Sequence, residues 1–275
     1  MDISTKREIP QSIYNIIKIL KYAPYKMNIK GTASLASQQY YSDLDLFTDI
    51  LEKEPSDITY KKYYDMVQKS ESINDMYFIE FKVQNKKGDK VKYTHLNEFN
   101  EKEFNKIYKT VDFIKLDYVI RIGNKFIELS VNYFYDKNNN IKESDKSFQE
   151  ITKSLKDDMN EQIKEGNYFK ALKRLFSVYN LKYVKEQLKN TDKYISLSKF
   201  FNSEWGKLYS ETANLKAIKL LLENYDDEET IKRAIINLKD LNIEPNLKKI
   251  DNIIKNNEKK YNNKAKELLS ELNKK

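Results

Sequence analysis

Two hydrophobic patterns divide the chain. Apolar and polar residues alternate over much of the first half, whereas apolar residues follow a helical period in the second. The first half opens with an amphipathic helical stretch at 10–23, which ends at Pro24. A short strand is predicted at 26–30, and another at 43–49, where the sequence DLDLFTD alternates with period two.

Two predicted β-hairpins follow, each with a glycine in its turn. The first pairs 76–84 with 90–94 around Gly88, and the second pairs 111–122 with 126–135 around Gly123-Asn124. Helices are predicted before and between the hairpins, at 57–70 and 97–109. The first half therefore mixes helices with strands.

From about residue 140 only helical periods remain. One apolar stripe runs from Phe148 to Ile163 and ends before Gly166, and another spans 169–179. Further helices are predicted at 181–189, 193–203, 207–224, 228–239, 246–256 and 258–273. Because the stretch 136–143 is polar, we place a boundary there and predict an α+β domain over 1–140 and an all-α domain over 141–275.

The amino-acid composition restricts the kinds of site that the chain can form. The 275 residues include no cysteine and one histidine, His95, which excludes disulfides, zinc–thiolate sites and multi-histidine metal sites. Catalysis must rest on carboxylates, lysines, hydroxyls and hard metal ions. The formal net charge of +8 suits a polyanionic partner such as RNA, DNA or a triphosphate. The opening residues are polar and no apolar run is long enough for a membrane span, so we expect a soluble, intracellular protein.

One short region has the residues for metal and phosphate chemistry. Gly31 follows a strand and precedes Thr32 and Ser34, an arrangement that lets backbone N–H groups and hydroxyls approach phosphates. Asp43 and Asp45 come twelve and fourteen residues after Gly31. On a strand they share a face, where they repel each other unless cations neutralise them. Hard oxygen ligands of this kind suit Mg²⁺.

Together the two elements resemble the signature of the DNA polymerase β-like nucleotidyltransferase superfamily. The matching residues run from Ile29-Lys30-Gly31-Thr32-Ala33-Ser34 to Ser42-Asp43-Leu44-Asp45-Leu46. Thr32 is a mild departure, since most members have Ser or Gly after the glycine. The resemblance is strongest to divergent, viral-type poly(A) polymerases. It implies an N-terminal mixed sheet with flanking helices, followed by a helical domain.

The family places a third carboxylate on a later strand. The best match is Asp117, in the strand Phe113–Ile120, and Glu80 and Glu128 compete with it. The resemblance implies that Asp43, Asp45 and Asp117 hold two Mg²⁺ or Mn²⁺ ions. It assigns the nucleotide phosphates to Gly31, Thr32 and Ser34. Lys82 and Lys115 lie on predicted strands within reach of a triphosphate, although solvated strand faces carry lysines routinely.

The expected reaction is template-independent transfer of AMP from an NTP, namely ATP, to an RNA 3′-hydroxyl, with release of pyrophosphate. A basic helix face at Lys170, Lys173 and Arg174 suits an RNA backbone or is simply solvated. The alternatives are transfer to a protein or small molecule, and a catalytically degenerate subunit that binds RNA or a partner. A viral enzyme of this kind would act in the cytoplasm, a viral factory or the virion. Residues 200–206, which include Trp205 and Gly206, are predicted to form a packing corner between helices.

Overall fold

A computed structural model describes residues 43–47, 76–85, 90–93, 102, 111–122, 124–134, 148–179 and 191–274. Among the described residues the strands come first: β1 (Asp43–Phe47), β2 (Met76–Asn85), β3 (Lys90–Tyr93), β4 (Val111–Ile122) and β5 (Lys125–Phe134). The helices follow: α1 (Phe148–Lys164), α2 (Tyr168–Tyr179), α3 (Asp192–Phe201), α4 (Glu204–Asn224), α5 (Glu228–Asp240) and α6 (Leu247–Lys274). The predicted α+β class agrees with this order.

The five strands form one mixed sheet in the order β1-β5-β4-β2-β3. Both predicted hairpins are confirmed, because β2 pairs antiparallel with β3 and β4 pairs antiparallel with β5. Strand β1 instead runs parallel to β5, with Asp43 opposite Glu128 and Asp45 opposite Ser130. The predictions at 10–23, 26–30, 57–70 and 181–189 lie outside the described residues, as do those at 97–109 apart from Lys102.

Alternation along β4 gives the sheet two different faces. Leu116, Tyr118 and Ile120 are at most 2% exposed and share one face with Leu129 of β5. On the opposite face Lys115 and Asp117 are only half-buried. The apolar face contributes much of the core of the sheet, and the other face carries Lys115 and Asp117 beside the buried Val119 and Phe126.

Residues 225–237 pack onto the end of the sheet. The Tyr225 hydroxyl donates to the Phe78 carbonyl at 2.8 Å, and its ring meets Tyr77 edge-on at 5.6 Å. Arg233 donates to the Tyr77 hydroxyl at 3.3 Å, a hydrogen bond that raises the pKa of Arg233. Asn237 donates to the carbonyl of Asn124 in the β4–β5 turn. Side chains from the helical half thus complete the strand-containing unit.

This packing divides the chain differently from the boundary placed near residue 140. The strands, within Asp43–Ser144, and Lys216–Ile243 form one compact unit. The helices within Asp145–Leu215 and Glu244–Lys275 form the second. Among the described residues, no helix has both the length and the apolar character that crossing a membrane requires.

The second unit has an aromatic core. Phe169 is 1% exposed and stacks on Tyr209 with ring centroids 4.2 Å apart, and Tyr261 lies 5.0 Å away. Burial raises the pKa of Tyr261 far above its usual value. Asn262 of α6 accepts a hydrogen bond from the Phe169 backbone N–H, which satisfies a donor at the start of α2. Helix α6 continues through residue 257, where the sequence predicted a break.

Glycine is required at two positions of this unit for different structural reasons. Gly166 follows α1 with φ of +78°, a left-handed conformation that confirms the predicted helix end. Gly206 lies where α4 begins, and a Cβ added there would fall 1.9 Å from the Phe201 carbonyl oxygen. Trp205 packs against the helical core, so the predicted packing corner is confirmed.

We expect Gly206→Ala to destabilise the protein by about 3 kcal/mol, the upper end of the usual cost of overpacking. The added methyl group meets backbone, which cannot rotate away as a side chain could. Gly166→Ala has open space around its Cβ and suffers only the left-handed conformation, about 1 kcal/mol. Urea unfolding followed by circular dichroism measures both changes. Equal midpoints for the two variants would contradict the close approach at Gly206.

Candidate functional site

The predicted carboxylate pair lies on β1 beside β5. Alternation in DLDLF favours a strand, and successive residues point to opposite faces, so positions 43 and 45 share a face. Asp43 is the register partner of Glu128, and Asp45 is the partner of Ser130. The described structure of β1 covers its backbone, so these residues are placed by register.

One row of the sheet contains most of the predicted chemistry. Asp45 pairs with Ser130, Ser130 pairs with Asp117 of β4, and Asp117 pairs with Glu80 of β2. With strands about 4.8 Å apart, Asp117 lies about 10 Å from Asp45 and Glu80 about 14 Å from it. Register partners share a face, so four strands contribute polar positions to the same surface.

Asp117 is held by two neighbours. The Ser130 hydroxyl donates to Asp117 Oδ1 at 2.5 Å, and the Lys115 ammonium lies 2.8 Å from Oδ2. The Asp117 side chain is 22% exposed and that of Lys115 is 31% exposed. An aspartate in an apolar strand needs such partners, because burying an unpaired carboxylate costs several kcal/mol. The two contacts fix the carboxylate on the polar face.

Like charges oppose each other on β2 and β4. Lys82 is the register partner of Lys115, and Glu80 is the partner of Asp117. Like charges directly opposite are destabilising, but the ion pair along β4 between Lys115 and Asp117 offsets part of the repulsion. Two positive and two negative groups therefore sit in adjoining rows, and their formal charges sum to zero. A ligand that carries both a metal cation and phosphate anions could exchange with such a group of charges.

Sequence reasoning missed one residue of this surface and underrated another. Ser130 was not singled out, although the two-residue turn at 123–124 implies that 117 pairs with 130. Glu128 was only a third choice, yet it lies directly opposite Asp43 on the neighbouring strand and is exposed. Its nearness comes from the parallel pairing of β1 and β5, which no local pattern reveals.

A metal ion would need the oxygen ligands of β1. Among the described side chains, no group of three or more acidic or histidine residues is close enough to hold one. Two Mg–O bonds of about 2.1 Å and two aspartate side chains can cover two strand spacings of about 4.8 Å, but not three. By register Asp117 lies two strand spacings from Asp45, and Glu80 lies three. Gly31, Thr32 and Ser34 lie outside the described residues.

The predicted basic face on α2 is partly neutralised. Arg174 pairs with Asp158 of α1, and the Lys173 ammonium lies 5.0 Å from the centroid of the Tyr209 ring. Lys170 is exposed. With Arg174 engaged inside the helical unit, this face has less charge for a nucleic acid than its sequence suggests.

Comparison with known proteins gives a fold and no family. No protein-family model matches the chain, and no curated protein sequence matches it. The solved structure of the M. chilensis Mg662 protein complexed with GTP matches with a TM-score of 0.61 at 12% identity, over 92% of this chain and 93% of that one.

Two further structures are described as a new nucleotidyl transferase encoded by a Megaviridae ORFan gene. Their TM-scores are 0.58 and 0.57, each at 12% identity. The matches cover 93% and 94% of this chain, and 94% and 92% of those chains. The chain therefore shares its fold, over nearly its whole length, with proteins described as nucleotidyl transferases.

Proposed function

We propose that the chain is a metal-dependent, template-independent nucleotidyltransferase that transfers AMP from ATP to an RNA 3′-hydroxyl and releases pyrophosphate. The observation that carries this proposal is the row formed by Asp45, Ser130 and Asp117 on one face of the sheet. The shared fold with proteins described as nucleotidyl transferases supports it independently.

Asp43, Asp45 and Asp117 would hold two Mg²⁺ or Mn²⁺ ions. Such ions neutralise the triphosphate and lower the pKa of the attacking hydroxyl. Asp117 takes the third position because Ser130 orients its carboxylate and only this small side chain separates it from the Asp45 position. Glu128 is the competing ligand, since it lies opposite Asp43.

The ion pair between Lys115 and Asp117 sets what the site accepts. A cation that reaches Asp117 competes with Lys115, and a phosphate that reaches Lys115 competes with Asp117. A cation and a triphosphate that bind together leave both side chains with an opposite charge. Lys82, opposite Lys115, would add a second ammonium for the phosphates. By the resemblance, Gly31, Thr32 and Ser34, which lie outside the described residues, would contribute N–H and hydroxyl donors.

The choice of acceptor and of nucleotide rests on two further observations. The net charge of +8 supports a polyanionic acceptor, and RNA is our choice. A structural neighbour is complexed with GTP, so GTP is the first nucleotide to compare with ATP. Transfer to a protein or small molecule remains the second candidate if RNA fails as an acceptor.

The Asp43→Ala/Asp45→Ala variant should lose transfer by about 10³-fold or more, because ligands worth several kcal/mol in the transition state disappear. The assay uses a labelled RNA primer, Mg²⁺ or Mn²⁺, and each NTP separately. Asp157→Ala/Asp240→Ala removes two exposed carboxylates elsewhere and should remain active. Absence of wild-type transfer to RNA, DNA, protein or small molecules with either metal would refute the catalytic proposal.

The third carboxylate is identified by three single variants. We expect Asp117→Asn to abolish transfer, because the amide keeps the shape of the side chain but not its charge. Glu80→Gln, one strand further from Asp45, should retain most activity. Loss of activity in Glu128→Gln, with activity preserved in Asp117→Asn, would move the third ligand to the strand beside Asp43.

Lys115→Gln should change metal and nucleotide binding in opposite directions. Removing the ammonium frees Asp117, so Mn²⁺ binding without nucleotide should tighten by up to about fivefold, the worth of a partly exposed ion pair. The KM for ATP should rise, because a phosphate contact is lost. Lys82→Gln is the matched control and should raise the KM alone. Mn²⁺ titration by electron paramagnetic resonance gives the first value, and weaker Mn²⁺ binding to Lys115→Gln would contradict the exchange.

A further inference from the structure

Helix α6 has an exposed side with lysines and no acidic residue. Five lysines fall within about 60° of one line along the helix, as expected at 3.6 residues per turn. All five are exposed, and we call them the lysine stripe: Lys248, Lys255, Lys259, Lys266 and Lys274. At 1.5 Å per residue the stripe is about 39 Å long.

The acids of α6 lie off the midline of this stripe, and those nearest to it, Asp251 and Glu258, are four and three residues from Lys255 and so flank the stripe. Asp251, Glu258, Glu267 and Glu271 are all at least about 80° from its midline, at 100° per residue. Two lysines off the stripe are paired, Lys249 with Glu244 and Lys264 with Glu267. These pairs lower the pKa of Glu244 and raise that of Lys264. In the described part of the chain, no carboxylate pairs with Lys248, Lys255 or Lys259.

Solubility alone does not require the lysines of a helix face to be separated from its acids. Lys255 and Lys259 are four residues apart, a like-charge spacing that costs a helix about 0.2–0.5 kcal/mol. Asn252, Asn256 and Asn263 lie between the lysines, although asparagine is a poor helix former. An AT-rich coding sequence accounts for many lysines and asparagines, but not for the absence of acids along the midline of the stripe.

We propose that the lysine stripe binds the ribose–phosphate backbone of RNA. Lysines one or two turns apart suit a polyanion whose charges repeat along a line. Helix α6 itself places no aromatic residue on the stripe, and the one ring described against a stripe lysine, that of Tyr168, lies 5.3 Å from the Lys266 ammonium. The stripe is therefore suited to the backbone more than to base stacking. Each asparagine amide both donates and accepts hydrogen bonds, as does the 2′-hydroxyl that distinguishes RNA from DNA. The stripe lies wholly within the helical unit.

This inference builds on the RNA acceptor of the proposed function, but its test requires no turnover. Binding of a fluorescent single-stranded RNA is measured by anisotropy in the full-length Asp43→Ala/Asp45→Ala background. Lys255→Gln/Lys259→Gln removes two charges from the stripe, and Lys249→Gln/Lys264→Gln removes two from paired lysines of the same helix. Glutamine keeps the helix propensity, which circular dichroism checks.

The stripe variant should raise the Kd about 25-fold at 0.1 M salt and reduce the salt slope by about 1.4, since each lost phosphate contact contributes about 0.7 for single strands. The control variant should bind as the parent does. Equal Kd values for the two variants would overturn the proposal. So would DNA of the same sequence, heparin or anionic vesicles competing as well as unlabelled RNA. If the stripe binds RNA but the wild-type protein transfers no nucleotide, the catalytic proposal is refuted and the proposal for the stripe is not.

Discussion

The pairing of β4 with β5 is the constraint on which the polar surface depends. Two residues separate the strands, and Ile122 pairs with Lys125, so Asp117 must meet Ser130. A slip of one residue in β4 would exchange its faces and put Asp117 among the buried side chains, where a carboxylate is costly. Because β1 aligns on β5, the same register also decides which residues lie opposite Asp43 and Asp45.

The sequence predicted the elements of this sheet well, because alternation and glycine turns are local signals. The hairpin prediction even contained the contact between Asp117 and Ser130, which follows from counting outward from the turn. The strand order could not be obtained in this way. The pairing of Asp43 with Glu128 joins residues 85 positions apart, and its stability comes from a whole sheet edge. The competition between Asp117 and Glu128 therefore became visible only in the fold.

The helical half shows the same limit. Helical periodicity located α5, but it indicates only that one face is buried and not what covers that face. The contacts that join this region to the sheet come from polar and aromatic side chains, Tyr225, Arg233 and Asn237. A helix pattern does not distinguish such groups from solvated ones. In α6 the sequence predicted a break at residue 257 that the structure does not have. Asn256 and Asn257 weaken a helix without ending it when neither glycine nor proline follows.

Charge compensation distinguishes the two surfaces of the protein that carry the proposals. On the sheet, Lys115 and Asp117 satisfy each other, so the group of charges is stable without a ligand and a cation alone gains little by displacing Lys115. In the proposed site a metal and a phosphate that bind together would satisfy both partners, which would favour the complexed nucleotide over either component. On α6 the described ion pairs join Lys249 and Lys264 to acids, and neither lysine belongs to the lysine stripe, so a polyanion that binds the stripe breaks no ion pair among the described residues. The first surface is thus suited to selecting a ligand, and the second to holding a strand loosely.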